Sequence, residues 1–290
     1  MKDKKMRLAV DYGTTTLGYA FIAEDGTVVD TGIRENPGRK YGRDILSRQN
    51  AFDRGASERI TAAMQEVMEE LASSGDVTDE IVVSANTTMN RMLIGGTEDY
   101  ACSRSYVRRL MEKHSATRTH DTLAVLQYRT LPGFSEYVGG DIVSGVRYLD
   151  MDRSGEINLL IDLGTNGEMV LGNKEGFIVS SVAAGPAFEE WGAAHNMYGS
   201  KVIDICHRLL KTGIIDKNGT FTDESYIESG FPVSGFGENT VLLTQDDIRD
   251  IQLAKAAVRA GVDLLTDRFG IAYDDISRVY LAGGMGEHLS

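Results

Sequence analysis

Two short runs of this sequence carry the residue types needed to hold a metal-bound polyphosphate. In the first, Arg7-Leu8-Ala9-Val10 leads into Asp11, Tyr12, Gly13, Thr14, Thr15 and Thr16. In the second, Asn158-Leu159-Leu160-Ile161 leads into Asp162, Leu163, Gly164, Thr165, Asn166 and Gly167. Each is an apolar strand ending in a carboxylate, then a glycine where backbone can come close to a ligand, then hydroxyl or amide side chains. Asp and Gly also favour ordinary tight reversals, so one copy alone does not separate a turn from a phosphate loop. Two copies half a chain apart, each followed by a further β-like run, point to two similar halves closing on one nucleotide.

Chemistry assigns a role to each group. The hydroxyls and backbone amides from Gly13 to Thr16 suit the terminal phosphates, with Gly164, Thr165 and Asn166 closing from the other half as a preorganised cradle for developing charge. Asp11 and Asp162 suit Mg²⁺ held through water, because that ion keeps several waters and is seldom caged by protein alone. Asp141, after Gly139 and Gly140, is either the group that orients or activates an attacking water or a simple helix cap. Glu168 reads as an aid to the metal and Glu189 as a reach to a ribose, or each as a surface carboxylate. Gly185, Gly283 and Gly284 leave room for a sugar and a flat base, although strand-to-helix turns also use glycine for geometry alone.

Bulk properties narrow the classes. The 290 residues suffice for two domains, and 42% hydrophobic content is ordinary for a globular protein. A formal charge of −13 and a pI near 4.9 argue against a nucleic-acid or acidic-membrane surface, which would need Lys and Arg to neutralise phosphates. A nucleotide bound here would need a cation between its charge and the protein's carboxylates. Cys102 and Cys206 have no CxxC spacing, so no iron–sulfur cluster or four-ligand zinc is expected in this chain; both read as reduced packing residues. The five histidines show no ligand spacing, and Trp191 reads as a core or interface anchor. No Gly-X-X-X-X-Gly-Lys run occurs, which disfavours a Walker-type ATPase. Neither a signal peptide nor an apolar span of about 18 residues is present, so a cytoplasmic location is expected.

The elements that must position these residues follow from periodicity. Strands are predicted over 8–11, 19–23 and 27–32, then one long helix over about 45–71 with a Ser73-Ser74-Gly75 stop. A strand at 80–84 feeds the Asn86-Thr87-Thr88-Met89 loop and a short helix, and a basic helix is expected around 104–113 in a weakly patterned stretch. A helix from 139 carries the chain into a second half with strands at 157–162, 168–171 and 177–182. Helices at 200–212 and 245–267 and a last strand at 278–281 complete it, with Thr244 as N-cap and Asp247 in the capping-box position. The predicted class is α/β: two mixed-sheet lobes, 1–150 with an inserted helical segment and 151–290, with a nucleotide cleft between them.

Two phosphate loops and one adenosine loop form the pattern of the actin, sugar-kinase and heat-shock-chaperone ATPase superfamily, with its duplicated actin-like (ribonuclease H-like) fold, which this chain resembles. A narrower likeness rests on blocks that keep their order: Asn36-Pro37, Tyr41-Gly42-Arg43-Asp44-Ile45-Leu46-Ser47-Arg48, Asn86-Thr87-Thr88-Met89 and Val138-Gly139-Gly140-Asp141-Ile142. It continues through Ile161 to Glu168, Ala184-Gly185-Pro186-Ala187-Phe188-Glu189, Leu243-Thr244-Gln245-Asp246-Asp247 and Leu281-Ala282-Gly283-Gly284. Together they resemble the ATPase domain of the reductive activators of corrinoid proteins. That resemblance implies ATP and Mg²⁺ as cofactors, a corrinoid protein of a methyl-transfer system as partner, an iron–sulfur electron donor and a homodimer. It also implies that ATP is used to return an inactive cob(II)amide to the cob(I) state. The chain departs from similar proteins in lacking an N-terminal ferredoxin-like segment and in stopping nine residues after Leu281, as an excised domain or a stand-alone relative would. A small-molecule kinase with Asp141 as base, and a nucleotide-binding docking scaffold, are the alternatives.

Overall fold

The computed structural model describes residues 6–42, 45–75, 77, 80–96, 105–111, 123–164, 166–185, 199–235, 237 and 240–283. Two compact units, Met1–Arg147 and Tyr148–Ser290, divide the chain.

In the first unit, alternation along β1 (Met6–Tyr12) turns Leu8, Val10 and Tyr12 to one face, all essentially buried, and Ala9 and Asp11 to the other. β2 (Thr16–Ala23) and β3 (Val28–Glu35) follow as an antiparallel meander. The helix α1 (Ile45–Ala51) leads to α2 (Ser57–Ser74), which lays Ile60, Met64, Met68 and Leu71 on the Leu8-Val10-Tyr12 face. The expected single helix is broken in between, where Gly55 takes φ 102 and the chain kinks. β4 (Glu80–Ala85) returns parallel to β1, so Ile81, Val83 and Ala85 join the α2 side while Ser84 lies on the Asp11 side. α3 (Thr87–Ile94) follows directly, and α4 (Gly140–Tyr148) closes the unit.

The stretch expected to form a basic helix is a strand. β5 (Ser105–Met111) pairs antiparallel with β6 (Leu123–Thr130), which in turn runs parallel to β4, giving a six-stranded sheet of order β3-β2-β1-β4-β6-β5. Pairing with a neighbour satisfies the backbone as fully as a helix would, and local charge pattern carries no signal for it. Residues 105–111 and 123–130 therefore extend the sheet. Cys102 lies outside the described residues.

The second unit repeats the opening plan. β7 (Asn158–Leu163), β8 (Gly167–Asn173) and β9 (Gly176–Val182) form a meander, and β12 (Arg278–Ala282) lies parallel to β7, giving the order β12-β7-β8-β9. Before β12 come α5 (Gly199–Lys211), α6 (Glu224–Ser229), the hairpin of β10 (Phe231–Ser234) and β11 (Val241–Leu243), and α7 (Gln245–Phe269). Helix α7 packs Ala254, Val258, Val262 and Leu265 against Leu159, Ile161, Met169 and Leu171. Its Gly261 sits so close to the sheet that a Cβ would meet the Met169 sulfur at 2.9 Å. Both units are thus α/β with mixed sheets, and each sheet has its long helix on the face away from its strand-end carboxylate. The hairpin and α6 were not anticipated: short elements of one or two turns carry too little periodicity to register.

The capping box expected at the start of α7 is present, with Thr244 Oγ1 accepting from Asp247 N–H at 3.1 Å and Asp247 Oδ2 accepting from Thr244 N–H at 2.7 Å. Thr244→Ala should lower stability by about 1 kcal/mol, read as a reduced urea midpoint at unchanged m-value; no change would mean that packing alone fixes this terminus.

Candidate functional site

The first turn is built at the β1–β2 hairpin. Tyr12 pairs with Leu17, leaving Gly13, Thr14, Thr15 and Thr16 to make the connection. Gly13 is required by a close approach, since a Cβ there would stand 2.9 Å from the Thr16 carbonyl. Tyr12 anchors the hairpin below: its ring is fully buried, its hydroxyl donates to Met64 O at 3.4 Å, and burial raises the pKa of its phenol. Thr15 and Thr16 are exposed and Thr14 is half-buried.

Asp11 sits in register between Gly18 on β2 and Ser84 on β4. Gly18 leaves one flank open, as a Cβ there would touch only Asp11 Cβ at 3.9 Å. The carboxylate is consequently reached by solvent, yet the atoms crowding it desolvate it enough to raise its pKa above the ordinary 3.8. A recessed but accessible anion of this kind gains from a cation beside it.

On the other flank Ser84 fastens α4. Its hydroxyl lies 3.0 Å from Ser144 Oγ and 3.3 Å from Gly140 O, while Ser144 donates to Asp141 O at 2.7 Å. Gly139 lies directly on the turn between β4 and α3, where a Cβ would meet Asn86 Cα at 2.5 Å. These contacts bring the first turn of α4, with Asp141, to the β1–β4 end of the sheet. Asp141 Oδ1 accepts from Ile142 N–H at 2.8 Å, a bond that serves the helix start.

Two asparagines to which the sequence pattern assigns no role hold the hairpin from behind. Asn36, fully buried, donates from Nδ2 to Gly13 O at 2.8 Å, and its backbone N–H donates to Thr15 O at 2.9 Å. Asn86 caps α3 by accepting from Met89 N–H at 2.9 Å and donates to Thr14 Oγ1 at 3.2 Å. The Met89 sulfur receives Asn36 Nδ2 at 3.4 Å and Nη1 of the buried Arg48 at 3.1 Å. Their presence in ordered sequence blocks was the available signal; their shared target was not visible.

The second turn is one residue shorter. Leu163 pairs with Gly167, and Gly164 N–H donates to Asn166 O at 3.0 Å, closing the turn on itself. Asp162 stands in register with Glu168 on β8 and Ala282 on β12. The Gly18 and Ser84 of the first copy are thus replaced by a carboxylate and a methyl. Two carboxylates directly opposite one another repel, and a cation between them removes that cost. Gly283, at φ +83, packs against the end of β7: a Cβ would meet Asp162 Oδ1 at 2.5 Å and Leu163 O at 2.6 Å. Gly185, at φ +78, has nothing within 4 Å of where its Cβ would be. Thr165, Glu189 and Gly284 lie outside the described residues.

Among the described residues no three His, Cys, Asp or Glu converge on a point. The carboxylates suit an ion that keeps its waters and takes further oxygens from a phosphate. Among the described residues no helix is long and apolar enough to cross a membrane.

Residues 6–154 match the family described as the RACo middle region, and residues 156–198 and 190–290 match the C-terminal domain of RACo, the ASKHA domain. The corrinoid activation enzyme RamQ of Eubacterium limosum is 25% identical over 97% of this chain and 58% of its own. A Co(II) methylated amine-specific corrinoid protein reductase of Methanosarcina barkeri is 24% identical over 54% of this chain and 37% of its own. Among solved structures, a reductive activator for corrinoid,iron-sulfur protein superposes with a TM-score of 0.75 at 28% identity, covering 99% of this chain and 55% of that one. The chain therefore spans less than two thirds of the length of these relatives.

Two outcomes follow from the geometry. Because the folded state raises the pKa of Asp11, the ionised carboxylate is penalised and its contribution to stability falls as pH rises through that raised value. In buffer free of nucleotide and magnesium, Asp11→Asn should melt above the wild type at pH 7, the gap closing as pH falls toward 3.8; a constant gap would refute the titration as its cause. Gly283→Ala, which would crowd Asp162 Oδ1 and Leu163 O at a positive φ, should lower stability by about 1–3 kcal/mol, read as a reduced urea midpoint.

Proposed function

Because the chain belongs to the RACo family, of which two matched regions cover nearly all of it, we propose that it binds Mg-ATP and couples that nucleotide to reductive activation of a corrinoid protein. The observation that carries this reading is the repeated strand-end carboxylate with its glycine turn, found at Asp11 and again at Asp162 on equivalent strands of two sheets.

In this reading Thr14, Thr15 and Thr16 donate to the terminal phosphates, with Gly13 keeping the hairpin tight. Thr165 and Asn166 of the second turn contribute further donors. Asp11 and Asp162 orient waters of the Mg²⁺ shell, and Glu168 adds charge beside Asp162. Gly185, Gly283 and Gly284 line the sugar and base, and Glu189 reaches the ribose. Asp141 positions the attacking water from the start of α4, within a turn already fastened to Ser84. ATP, when bound, supplies a phosphoanhydride whose cleavage or binding energy can drive a conformational change. The chain's own residues bind and orient it, and the electron comes from an iron–sulfur donor. A homodimer and a cytoplasmic setting complete the proposal.

Calorimetry with Mg-ATP on the wild type and on Asp11→Ala tests the nucleotide, and the same titration with a corrinoid protein present tests the partner. Binding by the wild type, weakened at least tenfold in the variant and coupled to the partner, is expected. No binding by the wild type removes the reading. Rapid phosphate transfer to a sugar or acid, without response to the corrinoid protein, would replace it with a kinase.

A further inference from the structure

We infer that Asn36 and Asn86 are positioning residues that fix the polarity of Thr14, so that its backbone N–H and its hydroxyl both face outward as donors to an anion. The inference rests on the nucleotide reading above and assigns to it two side chains to which no phosphate-loop role had been given.

The argument turns on which atom of each amide does what. Asn86 Oδ1 is committed to Met89 N–H at the α3 cap, so the group turned toward Thr14 is necessarily the NH₂. An NH₂ can only donate, which makes Thr14 Oγ1 the acceptor at 3.2 Å and sends the hydroxyl proton elsewhere. A threonine hydroxyl free to rotate would offer a phosphate either a proton or a lone pair. Held this way, it offers a proton.

Asn36 does the same to the peptide that precedes Thr14. Its Oδ1 accepts from Gly38 N–H at 2.8 Å, so its NH₂ faces the hairpin and donates to Gly13 O at 2.8 Å. In a trans peptide the C=O and the following N–H point in opposite directions. With the Gly13 carbonyl drawn inward to Asn36, the Thr14 N–H is directed away from it, toward the exposed side of the tip. Asn36 is fully buried with both ends of its amide engaged, so this orientation is costly to reverse. The two asparagines come from different elements, one before a 3-10 turn at Pro37–Tyr41 and one before α3, and meet at the Met89 sulfur and backbone.

The cap provides a clean test, because Ser and Asp serve an N-cap about as well as Asn does but cannot donate an amide proton. Asn86→Ser should leave the thermal midpoint near the wild-type value and weaken Mg-ATP binding by about fivefold. Asn86→Asp, which draws the Thr14 proton to itself, should weaken it by about tenfold or more. Thr14→Ser should bind as the wild type does, and Thr14→Val should lose about as much as Asn86→Ser. The double variant Asn86→Ser/Thr14→Val should be no weaker than Thr14→Val alone, because one side chain acts through the other. Additive losses, or an Asn86→Ser protein that binds normally, would overturn the assignment while leaving the nucleotide reading intact. A wild type without affinity for Mg-ATP would overturn both.

Discussion

The hydrogen bond from Asn36 to the Gly13 carbonyl is the constraint on which the first turn depends. A three- or four-residue connection at a hairpin tip has many conformations open to it, and exposed threonines do nothing to choose among them. A buried amide with every donor and acceptor engaged does choose, because any other arrangement would strand polar groups in the core. Around it the Met89 sulfur, the Arg48 guanidinium and the Asn86 cap form one buried polar junction beneath the hairpin. The exposed chemistry is held by an unexposed network.

Strand alternation explains why both carboxylates lie where they do. Leu8, Val10 and Tyr12 in one unit, and Leu159, Ile161 and Leu163 in the other, face a long helix and are buried in the core. The residue between the last two of each set is then forced to the opposite face, and in both units that residue is an aspartate. Core packing and site geometry are in this sense one requirement. The copies then diverge: the first surrounds its aspartate with Gly18 and Ser84, the second with Glu168 and Ala282. One gains an anchor for α4, the other a second negative charge.

The family relationship and the geometry bear on different links of the chain. Matches across residues 6–154 and 156–290 establish what the chain is related to, and the superposition at a TM-score of 0.75 supports an actin-like fold. Relatives that are nearly twice as long carry activities that belong to whole proteins. What the described residues contribute is a set of donors and carboxylates with their orientations.

Much was legible in the amino-acid order, and for identifiable reasons. The meanders, the α7 capping box and the strand-end aspartates announce themselves through short apolar runs bounded by tight turns, a Thr-X-X-Asp pair and Asp-X-Gly turns, all of them local. The break at Gly55 and the extended course of 105–111 were not, because a kink and a strand pairing are decided by what the segment meets. The roles of Asn36, Ser84, Asn86 and Ser144 were hidden for the same reason. Each acts on a partner 23 to 72 residues away, and an amide's choice between donating and accepting is settled only when the folded chain presents both of its neighbours. Sequence determined which residues could face a phosphate; tertiary packing decided which way their protons point.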